Sequence, residues 1–344
     1  MSNALERLNG YSAKRGLNEH SEVFDVKTPD GAFFERVHSL GYKMYERQAD
    51  GSIKYTDLYN AIKTEGNQSV NAIAGSGKTT ALTLKIIYDI VTGEAVRLQS
   101  IPNGNSVRVV DNMWVCTFLR TGAMELEQSI TEWQRRLGYT QTSQQINFST
   151  LDAEFKRCLD AMGVKTNIGD SNKLHTLLCK AIDSCNVTRS GGYSLTKEDY
   201  QIISGIVTYY RGRLDNSKYS HPSCQDYDIT PMILDLIVKQ FATLRQTEGI
   251  MDFDEISELL YKYLYVTPNP AVQDFVANRY NYIYIDEFQD TSQLQYAILK
   301  FYARGKLWLN RDGQEHTDTV LYNGIETKGK IVTVGDVSQC VTKD

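Results

Sequence analysis

Between Asn71 and Thr80 the sequence reads NAIAGSGKTT, with two glycines one residue apart and then Lys78 and Thr79. Glycines so spaced let backbone N–H groups turn together onto an anion at the start of a helix. A lysine and a hydroxyl directly after them suit a polyphosphate and its accompanying hard cation. The full pattern is G-x-x-x-x-G-K-S/T. In the frame Ala72-Ile73-Ala74-Gly75-Ser76-Gly77-Lys78-Thr79 only the first position departs from it. That glycine merely starts the turn, so alanine serves there if its φ is negative. Ala72, Ile73, Ala74, Gly75, Ser76, Gly77, Lys78, Thr79 and Thr80 are therefore read as nucleotide-binding. Lys78 would reach the β- and γ-phosphates, and the Thr79 hydroxyl would ligate Mg²⁺.

A second group lies in YIYIDEFQDT, where Asp286 and Glu287 follow an apolar run. A carboxylate at a strand end beside the phosphate loop can hold the cation, which fits Asp286. Glu287 can take the proton of an attacking water. Two adjacent acids suit hydrolysis better than transfer to a substrate hydroxyl. A third apolar run ends VTVGDVSQ, and the amide of Gln339 could sense a γ-phosphate by hydrogen bonding.

These groups need strands that end together and helices that begin beside them. NQSVNAI reads as a short buried strand running into the loop, and KTTALTLKIIYDIVTG as a helix with Leu82, Ile86, Ile87 and Ile90 on one face. NMWVCTF is a second buried strand. TGAMELEQSITEWQRRL is a second helix, with Met124, Leu126 and Ile130 expected inward. Alternation of strand and helix predicts a parallel α/β sheet. From about Leu151 to Ile250 the period is helical, with Thr230 and Pro231 opening one helix. Upstream, FFERVHSLGYKMYERQ also reads as helical. The predicted organisation is an N-terminal extension over 1–54, an α/β domain over 55–151 and 250–344 with a β-hairpin excursion near 305–330, and a helical insert over 152–249.

The bulk composition sets bounds. There are 344 residues, 37 Lys plus Arg against 42 Asp plus Glu, and a net charge of -5, unlike a protein that coats DNA by charge alone. Six scattered cysteines without a C-x-x-C read as free thiols in a reducing compartment. MSNALERLNGYSAKRG has no apolar core of a signal peptide, and no apolar run reaches about 18 residues. A cytoplasmic protein without a membrane span is expected, in a bacterial or phage-infected cell.

With its three strand ends placed, the chain resembles the superfamily 1 helicases of the UvrD/Rep/PcrA family over roughly residues 55–344. AIAGSGKT is similar to that family's form of the loop, Ala72 included. DEFQDT (Asp286–Thr291) and VGDVSQ (Val334–Gln339) resemble its second and third motifs. CTFLRTGAMELEQSI (Cys116–Ile130), NFSTL (Asn147–Leu151) and MDFDEI (Met251–Ile256) resemble motif Ia, motif Ib and the segment that re-enters the first domain. The resemblance implies a RecA-like P-loop NTPase sheet (domain 1A) with an inserted all-helical, 1B-like subdomain. It implies ATP and Mg²⁺ as cofactors, and single-stranded DNA or an ss/ds junction as partner, beside proteins of a replication or repair complex. It also implies 3′-to-5′ movement, with Gln339 coupling the γ-phosphate to DNA. Thr117, Phe118 and Arg120 would then line the strand groove, with Phe148 and Ser149 nearby.

The sequence departs from the family in three places. No glutamine stands near Leu58 or Tyr59 to read adenine, so Tyr59 or Asn60 is the substitute to expect. Motif Ib has Ser149 in place of histidine. The family's second RecA-like domain would follow Asp344, and with it the arginines that stabilise the transferring phosphate. The 344 residues alone are therefore expected to bind ATP weakly and hydrolyse it slowly. Two other readings stay open: the motor of a recombination helicase-nuclease, and a nucleotide-gated module that binds DNA or protein without unwinding.

Overall fold

The computed structural model describes residues 23–64, 68–71, 75–100, 106–110, 112–139, 145–215, 219, 221–302, 308–309, 315–316, 321–322, 325–326 and 330–336. Five strands form one all-parallel sheet among them: β1 (Gln68–Asn71), β2 (Met113–Thr117), β3 (Asn147–Thr150), β4 (Tyr282–Ile285) and β5 (Lys330–Gly335), in the order β1-β5-β4-β2-β3. Every residue of β2 and β4 is buried, so these central strands read in sequence as unbroken apolar runs. β1 was expected to be buried and is not. It is a sheet edge paired only with β5 among the described residues, and its Ser69 and Asn71 are exposed. Because all five strands run the same way, their carboxyl ends share one rim, the usual place for a ligand in an open α/β sheet.

Among the described residues, four α-helices accompany this sheet: α1 (Pro29–Ser39), α2 (Asp57–Lys63), α3 (Lys78–Thr92) and α4 (Arg120–Leu137). In α4 the buried positions are Ala123, Leu126, Ile130, Trp133, Gln134 and Leu137. Met124, expected inward, is 54% exposed, because it stands a full helical step round from Ala123. The stretch that reads as helical through Gln48 is helical only as far as Ser39. Gly41 takes φ +92°, and Tyr45–Arg47 and Ile53–Tyr55 then pair as an antiparallel hairpin. Asp50-Gly51 makes its turn, with Gly51 at φ +82°. Phe24, Phe33, Phe34, Val37 and Met44 enter the same core as Leu82, Ile86, Tyr284 and Val332. The segment from residue 23 onward is thus packed into the α/β unit.

α3 is buried almost all round. Leu82, Ile86 and Ile87 are inside as expected, but so are Lys85 and Asp89. Lys85 Nζ lies 3.1 Å from Asp89 Oδ1 and donates to the carbonyls of Ile62 and Thr64 at 2.8 and 2.7 Å. Tyr284 of β4 donates to Asp89 Oδ2 at 2.6 Å. A buried charge is tolerable when paired and hydrogen-bonded in this way. The network ties α2, α3 and β4 together.

The chain divides into two compact units, one of residues 1–150, 279–290 and 305–344, the other of 151–278 and 291–304. The helical unit thus extends past the expected limit of 249 and takes in Met251–Ile256. It contains α5 (Leu151–Ala161), α6 (Ser171–Ser184), α7 (Lys197–Arg211), α8 (Pro231–Glu248), α9 (Phe253–Tyr261), α10 (Pro270–Ala277) and α11 (Gln293–Tyr302). Leu177, Ile182, Ile203, Ile206, Leu234 and Phe241 centre its core. Thr230 caps α8 with Pro231 at the first helical position. Arg211, buried, forks onto Asp252 and Glu258, and buried Arg245 reaches Asp252 at 2.5 Å and Glu255 at 2.8 Å. These ion pairs hold the start of α9 to α7 and α8. Between 305 and 330, the described residues include two-residue antiparallel pairs at 308–309/315–316 and 321–322/325–326.

Candidate nucleotide site

Gly75 and Gly77 have φ of +76° and +85°, a left-handed backbone that side-chain-bearing residues rarely adopt. A Cβ at either would meet no atom of the described residues within 4 Å, and the left-handed conformation is what requires glycine there. Gly77 caps α3, whose first residues are Lys78 and Thr79. The first N–H groups of a helix have no intrahelical acceptor, and the helix dipole adds positive potential. Lys78 is buried with its Nζ 3.8 Å from Glu287 Oε2. Thr80 is half-buried, and Ser76 and Thr79 are exposed. Ala72, Ile73 and Ala74 lie outside the described residues, as does Gln339.

Asp286 follows β4 and is pinned from two sides. Its N–H donates to the Cys116 carbonyl at 2.9 Å, and its Oδ2 accepts from Thr79 Oγ1 at 3.1 Å. Burial pushes its carboxyl above the usual range, and neighbouring Glu287 adds to that. The Glu287 amide, the Thr79 hydroxyl and Lys78 pull the other way. A hydroxyl and a buried, incompletely compensated carboxylate are an oxygen pair suited to a hard cation, so the residues fit Mg²⁺. Glu287 itself is at φ +51°, uncommon for a non-glycine residue and a feature that clusters at functional sites. Its amide donates to Asp286 Oδ1 at 3.0 Å, and its carbonyl accepts from the Asp290 amide at 3.0 Å. Asp290 is also raised, by burial first and by Glu287 second.

The residues expected to line a strand groove separate into two groups. Phe118 is 47% exposed, and Arg120 is exposed at the start of α4. Thr117 is buried, and its hydroxyl donates to the Leu119 carbonyl at 2.7 Å, shaping the turn that presents Phe118. Ser149 is buried and accepts from the Trp114 indole at 2.8 Å, which fastens β3 to β2. Phe148 packs against the core. Tyr59 stacks on Tyr55 at 4.2 Å and leans on Phe34 at 4.4 Å, within an aromatic cluster on α1, α2 and the hairpin.

Gln289 was not singled out from the sequence. Its Nε2 donates to Glu287 Oε2 at 2.7 Å, and its Oε1 accepts from the Asp336 amide at 2.9 Å. Its place in DEFQDT was visible, but its partners depend on a fold that brings the exits of β4 and β5 together.

Residues 56–341 match the model of the UvrD/REP helicase N-terminal domain. The chain is 24% identical over 260 residues to the ATP-dependent DNA helicase PcrA of Staphylococcus aureus, covering 72% of this chain and 31% of that protein. It is 22% identical over 251 residues to PcrA of Staphylococcus epidermidis, covering 70% and 30%. The chain thus spans about a third of the length of the curated relatives it matches. With the family model matched over most of its length, the chain belongs to the UvrD/REP helicase family and carries that family's N-terminal domain.

Proposed function

We propose that this chain is the ATP-binding half of an ATP-dependent DNA helicase or translocase that acts on single-stranded DNA. The observation that carries the reading is the Thr79–Asp286 hydrogen bond at 3.1 Å, with Lys78 beside Glu287 on the same rim. Gly75, Gly77 and the start of α3 cradle the phosphates, and Lys78 neutralises the β/γ end. Thr79 and Asp286 would hold Mg²⁺, which would supply positive charge to offset that of the phosphates. Glu287 orients the attacking water and takes its proton. Gln339 senses the γ-phosphate. The roles of Mg²⁺ and Gln339 rest on the family resemblance together with residue chemistry, and 3′-to-5′ polarity rests on the resemblance alone.

DNA contact falls mainly to Phe118 and Arg120, by base stacking and phosphate pairing. Thr117, Phe148 and Ser149 shape the segment behind them. No described helix is long and apolar enough to cross a membrane. We place the protein in the cytoplasm of a bacterial or phage-infected cell, at single strands or ss/ds junctions of replication or repair.

The test is MgATP binding and single-strand-stimulated hydrolysis, with Lys78→Ala as control. Removing the ammonium deletes a charge-assisted contact of about 1.5–3 kcal/mol, so affinity should fall roughly 10- to 100-fold. Unchanged nucleotide affinity in Lys78→Ala would refute the site.

A further inference from the structure

We propose that Gln289 is a positioning residue that ties the Glu287 carboxylate to the exit of β5, so that a change in the nucleotide's phosphates at one is transmitted to the other. The proposal rests on the hydrolytic reading above.

Gln289 is held in a single orientation. Its carbonyl oxygen is committed to the Asp336 amide at 2.9 Å, which turns its NH₂ onto Glu287 Oε2 at 2.7 Å. Reversing the amide would set oxygen against carboxylate and NH₂ against N–H, losing both bonds. The same Glu287 oxygen lies 3.8 Å from Lys78. When phosphates draw Lys78 away, the Gln289 amide keeps its hold on the carboxylate.

The backbone on both sides is built for this approach. Glu287 takes its φ of +51° in a turn fixed by Asp286 and Asp290. On the other strand, a Cβ at Gly335 would fall 2.8 Å from Gln289 Oε1 and 3.3 Å from its backbone nitrogen. Glycine at 335 is what allows the side chain to lie there. The sheet order gives the tie its reach. β5 lies between β1 and β4, with Gly335 in register with Asn71 at the mouth of the phosphate loop. Gln289 therefore links the turn after β4, which carries Asp286 and Glu287, to the exit of β5, one residue past Gly335.

Three variants of the chain test this: Gln289→Leu, Gln289→Glu and Gly335→Ala. Nucleotide affinity is read with a fluorescent ATP analogue and hydrolysis in single turnover. Misplacement of a reacting group by an ångström costs about 10²-fold. A loss of that order is expected in Gln289→Leu and Gly335→Ala, with affinity nearly unchanged. Gln289→Glu keeps the acceptor for Asp336 but sets a carboxylate against Glu287. Its rate relative to wild type should be lowest at neutral pH and rise as the pH falls, because the introduced carboxyl, once protonated, can donate again. A Gln289→Leu rate equal to wild type, an affinity loss matching the rate loss, or a pH-independent ratio in Gln289→Glu would overturn the tie.

Where turnover is too slow to follow, amide exchange at Asp336 decides. The expected result is protection that differs between complexes with a non-hydrolysable ATP analogue and with ADP, and that loses this difference in Gln289→Leu. Identical behaviour in the two proteins overturns the proposal. Lys78→Ala separates the two readings. Lost nucleotide binding there, beside an unaltered Gln289→Leu rate, removes the tie alone. Retained binding removes the nucleotide reading and the tie with it.

Discussion

Asp286 illustrates a trade at the scale of one side chain. Burial and the adjacent Glu287 raise its carboxyl above the ordinary range, while Thr79 and Lys78 compensate only in part. A folded-state value above the unfolded one means the native state binds the proton more readily. The resulting penalty on stability is present above the folded value and is relieved as pH falls toward the unfolded value of 3.8. Asn at this position carries no charge to desolvate. Asp286→Asn should therefore stabilise the nucleotide-free protein by about 0.5–2 kcal/mol near neutral pH, a trade of stability against function. The same change should abolish the Mg²⁺-dependent gain in nucleotide affinity. Proton and cation compete for one carboxylate, so in wild type that gain should fade on acidification at a higher pH than for an exposed aspartate. Thermal melts with and without MgATP across pH check both halves. A variant that melts lower without nucleotide and keeps its Mg²⁺ response would show that Asp286 is only structural.

Among the elements, α3 begins from its cap at Gly77, whose φ is +85° and where a Cβ would meet no described atom within 4 Å. Gly77→Ala should thus cost only backbone strain, about 1–2 kcal/mol, paid either in stability or in nucleotide affinity. A denaturant melt and a binding titration together should recover that sum, and no loss in either would mean the left-handed cap is dispensable. The loop, β2 and β4 were legible in the sequence because glycine spacing and uninterrupted apolar runs are local signals. The exposure of β1 is not legible, because its pairing on one side among the described residues leaves Ser69 and Asn71 in solvent, and sequence does not say which strand lies at an edge. Lys85 and Asp89, four residues apart, look like a solvated helix pair. Tyr284 and the Ile62 and Thr64 carbonyls, far away in sequence, draw them into a buried network. Gln289 escaped for the same reason. In the helical unit, Arg245 is comparable: 1% exposed, paired to Asp252 and Glu255, with its guanidinium 4.4 Å from the Phe241 ring centre. Arg245→Leu leaves buried Asp252 and half-buried Glu255 without that cation and should cost about 3–5 kcal/mol in a denaturant melt. A cost near zero would show that Arg211 alone compensates them.

For the molecule as a whole, the net charge of -5 constrains how any DNA is held. The net charge of such a chain does not favour a polyanion at long range, so affinity is expected to come from short-range contacts at a few positions. Phe118, exposed after β2, offers a stacking face, and exposed Arg120 offers phosphate pairing at the start of α4. Stacking is worth about 1–3 kcal/mol per base and depends little on salt. Each neutralised phosphate of a single strand adds about 0.7 to the slope of log affinity against log salt. Single-strand binding by this chain should therefore show a shallow salt dependence. Arg120→Ala should lower that slope by about 0.7, whereas Phe118→Ala should weaken binding by about 1–3 kcal/mol with the slope unchanged. Fluorescence anisotropy of a labelled oligonucleotide over a range of salt separates the two. A steep slope that neither substitution alters would mean that the strand is held by a basic surface elsewhere, and that the segment after β2 does not face DNA.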